Sequence, residues 1–211
     1  MDPWLRNAAR RAIGFMPDDE GMALYEAALK AAPLGPLLEI GSYCGKSTLY
    51  LAGAARDAET QEPCRVVTID HHRGSEEHQP GEEYYDARLV NEDGAVDTLA
   101  AFRRTIEQAG VGDVVVAIVA PSQTVATLWR APLGLVFIDG GHSSEVAETD
   151  LDSWSPHVVE GGLLAIHDVF PDPDRGGRPP YEIYRRALDS GAFEEVSAKG
   201  SLRVLRRTHP A

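Results

Sequence analysis

The chain has 211 residues, 43% hydrophobic and 25% charged, with a formal charge of −13 at pH 7. That length and mix fit one globular domain with a sizeable core, and are short for two. The acidic balance argues against nucleic acid as a partner, since phosphate binding is driven by basic patches and no long Lys or Arg run supplies one. Cys44 and Cys64 are too few for a disulfide framework or a zinc cluster. Met1-Asp2-Pro3-Trp4 does not lead from a charged segment into an apolar one, and no run reaches membrane-spanning length. A cytoplasmic protein without a membrane partner is expected.

Residues 1–34 read as an N-terminal helical segment. Trp4, Leu5, Ala8, Ala12 and Ile13 recur at helical spacing beside Arg6, Arg10 and Arg11, so the segment either packs on the domain, contacts a second copy, or flaps over a substrate. Asp18-Asp19-Glu20 supply an acidic first turn for a second helix, whose face is Met22, Leu24, Tyr25, Ala28 and Leu29, ending at Pro33.

The next stretch, Leu37-Leu38-Glu39-Ile40-Gly41-Ser42-Tyr43-Cys44-Gly45-Lys46-Ser47-Thr48, is a short apolar run, a turn with two glycines and a helix start. In a parallel α/β sheet this places a glycine turn at the carboxyl edge of a strand, where open sheets bind ligands. A P-loop needs four residues between its glycines before Lys-Ser/Thr, and only Ser42, Tyr43 and Cys44 stand here. A dinucleotide fingerprint also fails, for want of its second glycine. A nucleotide-binding P-loop module is therefore the least favoured class.

Lys46 to Ala55 reads as a helix, and Arg65-Val66-Val67-Thr68-Ile69 as a second strand ending in Asp70. An acid there is placed to accept from ribose hydroxyls, or else to cap a turn. Residues 71–94 are irregular, with three histidines and Tyr84-Tyr85, and read as a lid over the crevice. His71, His72 and Arg73 stand at its root, within reach of a cofactor or acceptor. Val96 to Ala109 reads as a helix and Val114 to Val119 as a third strand, with Ser122 opening the helix that follows.

Two further apolar runs, Leu135-Val136-Phe137-Ile138 and Leu163-Leu164-Ala165-Ile166, end in Asp139 and in His167-Asp168. As buried parallel strands they bring those ends to one sheet edge, where Asp139, His167 and Asp168 can converge on a divalent cation. Magnesium suits the carboxylates, and the imidazole also admits manganese. A helix through Val146, Leu151 and Trp154 lies between the two runs. A second lid is expected over 170–181, where Arg175 or Arg178 can offer donors, followed by a helix over Tyr181 to Leu188. Phe193 to Ser197 and Leu202 to Leu205 flank Lys199-Gly200-Ser201 as a β-hairpin.

The E-x-G-x-x-x-G turn resembles motif I of class I S-adenosylmethionine-dependent methyltransferases, and the order of elements matches their Rossmann-like sheet of seven strands with a C-terminal antiparallel hairpin. LLEIGSYCGKST, VVTID, FIDGGH and GGLLAIHDV resemble the small bacterial metal-dependent O-methyltransferase branch, macrocin-type and cephalosporin-hydroxylase-type. More narrowly, they resemble the actinobacterial sugar 1-O-methyltransferases of methylmannose polysaccharide synthesis. The resemblance covers about residues 35 to 207, and the domain is drawn as 35–211.

It implies S-adenosylmethionine at Glu39, Gly41, Ser42, Tyr43, Gly45, Ser47, Asp70, His71, Ser122 and Asp139, with Ser122 against the adenine. It also implies a divalent ion at Asp139, His167 and Asp168. Asp139 and His142 are the expected catalytic residues, with His142 either accepting the acceptor's proton, capping its helix or packing against the cofactor. A metal-dependent O-methyltransferase acting on a sugar or other polyhydroxylated small molecule, as a homodimer, is the leading expectation. A divergent member that binds the cofactor for other chemistry is the alternative.

Overall fold

A computed structural model describes residues 1–141, 143–172 and 178–209; His142 and Arg175 lie outside them. Five runs rich in β-branched and aliphatic residues form β1 (Leu37–Ile40), β2 (Val66–Asp70), β3 (Val115–Val119), β4 (Leu133–Ile138) and β5 (Val158–Ile166). Two more strands, β6 (Phe193–Lys199) and β7 (Leu202–Arg207), close the chain. The sheet order is β3-β2-β1-β4-β5-β7-β6, parallel through β5 and antiparallel for β7 and β6. This is the expected Rossmann-like sheet with its terminal hairpin.

The helices are α1 (Pro3–Arg11), α2 (Asp18–Ala31), α3 (Lys46–Asp57), α4 (Leu99–Gln108), α5 (Ser122–Ala126), α6 (Ser144–Trp154) and α7 (Arg178–Asp189). Alternation along each strand decides which helices it meets. Leu37, Val66, Leu135, Phe137 and Leu163 face one way, into a core with Leu5 of α1, Leu24 and Ala28 of α2, Leu49 and Tyr50 of α3, and Phe102 of α4. Leu38, Val67, Val136, Ile138 and Leu164 face the other way, onto Leu151 and Trp154 of α6 and Ile183 and Ala187 of α7. Both faces are covered, as parallel sheets require. No helix among the described residues is long and apolar enough to cross a membrane.

Three local expectations are revised. The helix expected from Val96 starts at Leu99, because Val96 pairs with Val90 in an isolated bridge and Asp97 accepts from the Leu99 amide. Residues 71–94 contain short 3-10 turns at Glu76–His78 and Ala87–Leu89, and the carboxamide of Asn91 folds the Asn91 to Ala95 turn. The fifth strand begins earlier, at Val158, and its register with β4 shifts between Leu133 and Leu135.

Gly21 of α2 lies against the fully buried ring of Tyr50: a Cβ there would stand 2.3 Å from the ring's Cε2. Helix propensity alone favours alanine over glycine by about 1 kcal/mol. The clash acts against it, and an aromatic ring locked in a core cannot yield cheaply. Gly21→Ala is therefore expected to destabilise the fold, read as a lower urea midpoint; a raised midpoint would mean that Tyr50 has room to move.

Candidate active site

A common register builds the site. Ile69, Ile40, Ile138 and Ile166 stand side by side across β2, β1, β4 and β5, so the residues that follow them, Asp70, Gly41, Asp139 and His167, emerge along one edge. A cavity of about 930 Å³ opens there. All four of those residues border it, as do Ser42, Tyr43, Ser47, His71, Ser122 and Asp168.

Gly41 has φ 83, and a Cβ on it would lie 2.2 Å from the carbonyl oxygen of Asp139. Only glycine lets the first turn pass this close to the end of β4. The turn is then held by Asp70, whose Oδ2 accepts from the amides of Ser42 (2.9 Å) and Tyr43 (2.8 Å) while Oδ1 accepts from His72 (2.6 Å). A P-loop needs such amides for phosphate, and here they are turned to a carboxylate. The Lys46 ammonium reaches back to the carbonyl of Gly14, 3.3 Å away. The glycine loop is thus built around an anion of its own.

Glu39 does not border the cavity. Strand alternation turns it under the loop onto the first turn of α3, where its carboxylate is fully buried and accepts from Ser47 Oγ and Thr48 Oγ1, each at 2.6 Å. This corrects the expectation that Glu39 faces a ligand: it positions Ser47 from below. Gly45, φ 90, ends the turn as the N-cap of α3 and also stays behind the cavity wall. His72 turns inward as well, its Nδ1 2.8 Å from Thr98 Oγ1, and Arg73 points to Asp97. Of the lid's root, only His71 borders the cavity.

At the opposite wall, Asp139, His167 and Asp168 can each offer one ligand atom, and these atoms lie within 4.8 Å of one another. His167 Nδ1 is 3.0 Å from Asp139 Oδ1 and 3.4 Å from Asp168 Oδ1; Nε2 is 2.8 Å from Glu20 Oε2. Burial works against a charged ring, but Asp139, Asp168 and Glu20 outweigh it and push the pKa up to about 12. Without a metal, these three carboxylates favour the protonated ring. The donor set nevertheless fits a hard divalent ion: two carboxylates and an imidazole whose far nitrogen is held by a carboxylate, the usual support for a metal-bound histidine.

Three contributors come from helices and an N-terminal turn rather than from strand ends. Glu20, on α2, binds His167 and also accepts from the amide (3.1 Å) and hydroxyl (2.9 Å) of Ser201 in the β6–β7 turn. Asp150, on α6, accepts from the Ser122 hydroxyl and is 2% exposed. Phe15 stands in an aromatic wall with Tyr43, His78 and Tyr84, at centroid separations of 5.7, 5.8 and 4.9 Å. Spacing hinted at two of them. Glu20 precedes Leu24 by one helical turn, and Asp150 falls between Val146 and Trp154 on an apolar stripe.

The description "Methyltransferase domain" matches residues 38–169, which run from β1 through the His167-Asp168 edge. This chain belongs to the methyltransferase domain family. Among solved structures, the O-methyltransferase TomG of Streptomyces achromogenes, involved in tomaymycin synthesis and bound to S-adenosylmethionine, is 18% identical with TM-score 0.65. The alignment covers 99% of this chain and 91% of TomG. The O-methyltransferase NovP is 17% identical with TM-score 0.71, over 98% of this chain and 88% of NovP. A TDP-rhamnose 3′-O-methyltransferase of calicheamicin biosynthesis is 15% identical with TM-score 0.63, over 90% of this chain and 78% of its own. These likenesses establish the shared fold.

In this methyltransferase, Glu39 has an unusual titration. Burial is the largest influence and raises its carboxyl from 4.5 to about 7, against the opposing hydroxyls of Ser47 and Thr48. Below the unfolded value, folded and unfolded chains are both protonated there. As pH climbs from 4.5 to about 7 the unfolded chain ionises first, so this group erodes stability across that window and nowhere else. Glu39→Gln removes the titration. Its stability relative to the parent, from urea unfolding at pH 5 and pH 8, should improve with pH by up to about 3 kcal/mol. A pH-independent difference would mean that Glu39 ionises normally.

Proposed function

We propose that this methyltransferase moves the sulfonium methyl of S-adenosylmethionine onto a hydroxyl of a sugar or similar polyhydroxylated small molecule, assisted by magnesium or manganese held by Asp139, His167 and Asp168. One observation carries this reading: the three metal-competent side chains and the Gly41 turn open into the same cavity. When bound, the ion would lower the pKa of the acceptor hydroxyl and orient it for in-line attack on the methyl.

The chain's own groups divide the remaining work. Asp70 holds three loop amides, two on Oδ2 and one on Oδ1, and Oδ1 keeps a lone pair for a ribose hydroxyl. Glu20 accepts from Nε2–H of His167, which leaves Nδ1 to face the ion. His142 is the proton acceptor in this reading; Gly141 and Ser143, on either side of it in sequence, border the cavity. The rings of Phe15, Tyr43 and Tyr84 give an acceptor a flat face to pack on, which suits the C–H face of a pyranose. The TDP-rhamnose enzyme among the structural neighbours acts on a sugar nucleotide, which supports the same acceptor class. Methylated mannosides, through their 1-OH, are the narrower candidates. A homodimer belongs to the same reading, with Trp4, exposed on α1, at hand for the contact; light scattering after size exclusion reads it.

Calorimetric titration with S-adenosylhomocysteine, with ATP as control, tests the site, and turnover with sugar acceptors in magnesium and in EDTA tests the chemistry. Binding of S-adenosylhomocysteine but not ATP is expected, with methylation lost in EDTA and lowered roughly a hundredfold or more by Asp139→Asn. Preference for ATP would sink the reading. Cofactor binding without S-adenosylhomocysteine formation would point to divergent chemistry.

The aromatic wall makes a separable prediction. Phe15→Ala and Tyr84→Ala should each raise the acceptor KM about two- to tenfold while leaving S-adenosylhomocysteine affinity unchanged. Equal loss of both affinities would place these rings over the cofactor instead.

A further inference from the structure

The two edges of the sheet are built differently. β6 carries Glu194, Glu195 and Lys199, and its pairing with β7 is interrupted by a register shift between Glu195 and Ser197. Charges and bulges of this kind keep an exposed edge from pairing with another chain. β3, at the other edge, has neither: Val115 to Val119 reads Val-Val-Ala-Ile-Val, in unbroken register with β2. Val116 and Val119 are 46% and 51% exposed, and Ala117 between them is exposed as well.

The backbone of β3 shows which groups the open edge presents. The Val66 amide donates to the Val114 carbonyl (2.9 Å), and the Ala120 amide donates to the Asp70 carbonyl (3.2 Å). Backbone groups alternate along a strand, so Val114, Val116, Ile118 and Ala120 turn theirs to β2, while Val115, Ala117 and Val119 turn theirs outward. The Val115 amide is taken by the Val111 carbonyl at 3.2 Å. Among the described residues, no backbone acceptor takes the amides of Ala117 and Val119. Charge narrows the occupant. From Val114 to Trp129 the chain has no charged residue, although 25% of all residues are charged and the net charge is −13. Two copies of so acidic a chain repel least where neither is charged. Resting on the homodimer of the function proposed above, we infer that its central contact is β3 against β3 of a second copy, joining the two sheets into one.

The strand is complementary to itself. Run antiparallel about a two-fold axis at Ala117, the two Ala117 residues exchange N–H and C=O, and each Val119 amide donates to the Val115 carbonyl of the second copy. Val115 then stands opposite Val119 on one face and Val116 opposite Ile118 on the other, β-branched pairs of the kind that stabilise sheets. The smallest side chain, Ala117, lies on the axis. Trp4 of α1 is the competing apolar face, but it stands among Arg6, Arg10 and Arg11 on a helix whose backbone bonds are internal, so it offers no such directional pairing. A five-residue edge buries less than the roughly 1,200 Å² of a permanent interface, so the dimer is reversible and depends on concentration.

Light scattering after size exclusion tests this on the full chain. The parent's mass should rise with loading concentration from 22.9 kDa toward twice that value. Ala117→Lys sets like charges face to face on the axis and should hold the chain at the mass of one copy throughout. Ala117→Pro removes an outward N–H without removing a bond to β2, should do the same, and serves if Ala117→Lys does not fold. Both variants should keep the parent's circular dichroism and its affinity for S-adenosylhomocysteine, while Trp4→Ala should dimerise as the parent does. A dimer retained by a folded Ala117 variant, or lost in Trp4→Ala, overturns the assignment to β3 and leaves the homodimer reading intact. A parent that stays at 22.9 kDa at every concentration overturns the homodimer reading, and this inference with it.

Discussion

Everything at this site depends on four strands ending in the same row. Because β2, β1, β4 and β5 pair in register at Ile69, Ile40, Ile138 and Ile166, the chain leaves the sheet four times along one line. A slip of one residue in any pair would turn that strand's side chains to the other face and exchange core for cavity. What fixes the register is burial on both faces. Leu37 and Phe137 are committed to the α3 side, and Leu38 and Val136 to the α6 side. The core thereby sets distances in the site that no contact within the site would enforce.

The row is crowded with acid, and the backbone is strained to hold it. Asp70, Asp139 and Asp168 lie at the edge, with Glu20, Glu39 and Asp150 buried close behind. Such a concentration favours a ligand that brings positive charge, as a divalent ion or a sulfonium does. Among the described residues, the only non-glycine residues at positive φ are Tyr43 (47°), His72 (58°) and Asp168 (55°), and each lies in the loop that leaves a strand ending at this edge. Left-handed backbone costs about 1–3 kcal/mol at such residues. Its confinement to the rim means that the surrounding hydrogen bonds, Asp70 to the Tyr43 and His72 amides above all, over-determine the loops.

How much of this was legible in the sequence follows from what kind of pattern each part leaves. Strand ends are local: FIDGG and AIHD announce an apolar run and the acid that stops it, so Asp70, Asp139 and Asp168 were readable one strand at a time. The inward or outward turn of a side chain is less so. Glu39 looked like its neighbours at the edge, but its odd position, two after Leu37, sends it beneath the loop. Helix-borne contributors were the hardest. Asp18, Asp19 and Glu20 look alike in sequence as an acidic first turn, and only the packing of α2 on the sheet buries the third of them. Val96 to Thr98 failed for another reason: a bridge to Val90 and the His72 contact hold it out of the helix its pattern allows.

Glu20 also explains why α2 belongs to the site as well as to the core. Its two carboxylate oxygens take an N–H and an O–H from Ser201 and a ring N–H from His167, so one side chain ties α2, the β6–β7 turn and the end of β5 together. The turn accommodates it closely, since a Cβ on Gly200 would meet Glu20 Oε1 at 2.0 Å. Loss of either partner would strand a buried carboxylate, which costs more than the bonds themselves contribute. The orientation of His167 is therefore coupled to the folding of segments about 150 residues before it and 34 after it in the chain, since Glu20 and Ser201 reach it through the same carboxylate. A site of this construction cannot assemble from the strand ends alone. Its geometry is complete only when α2 and the last hairpin have both docked.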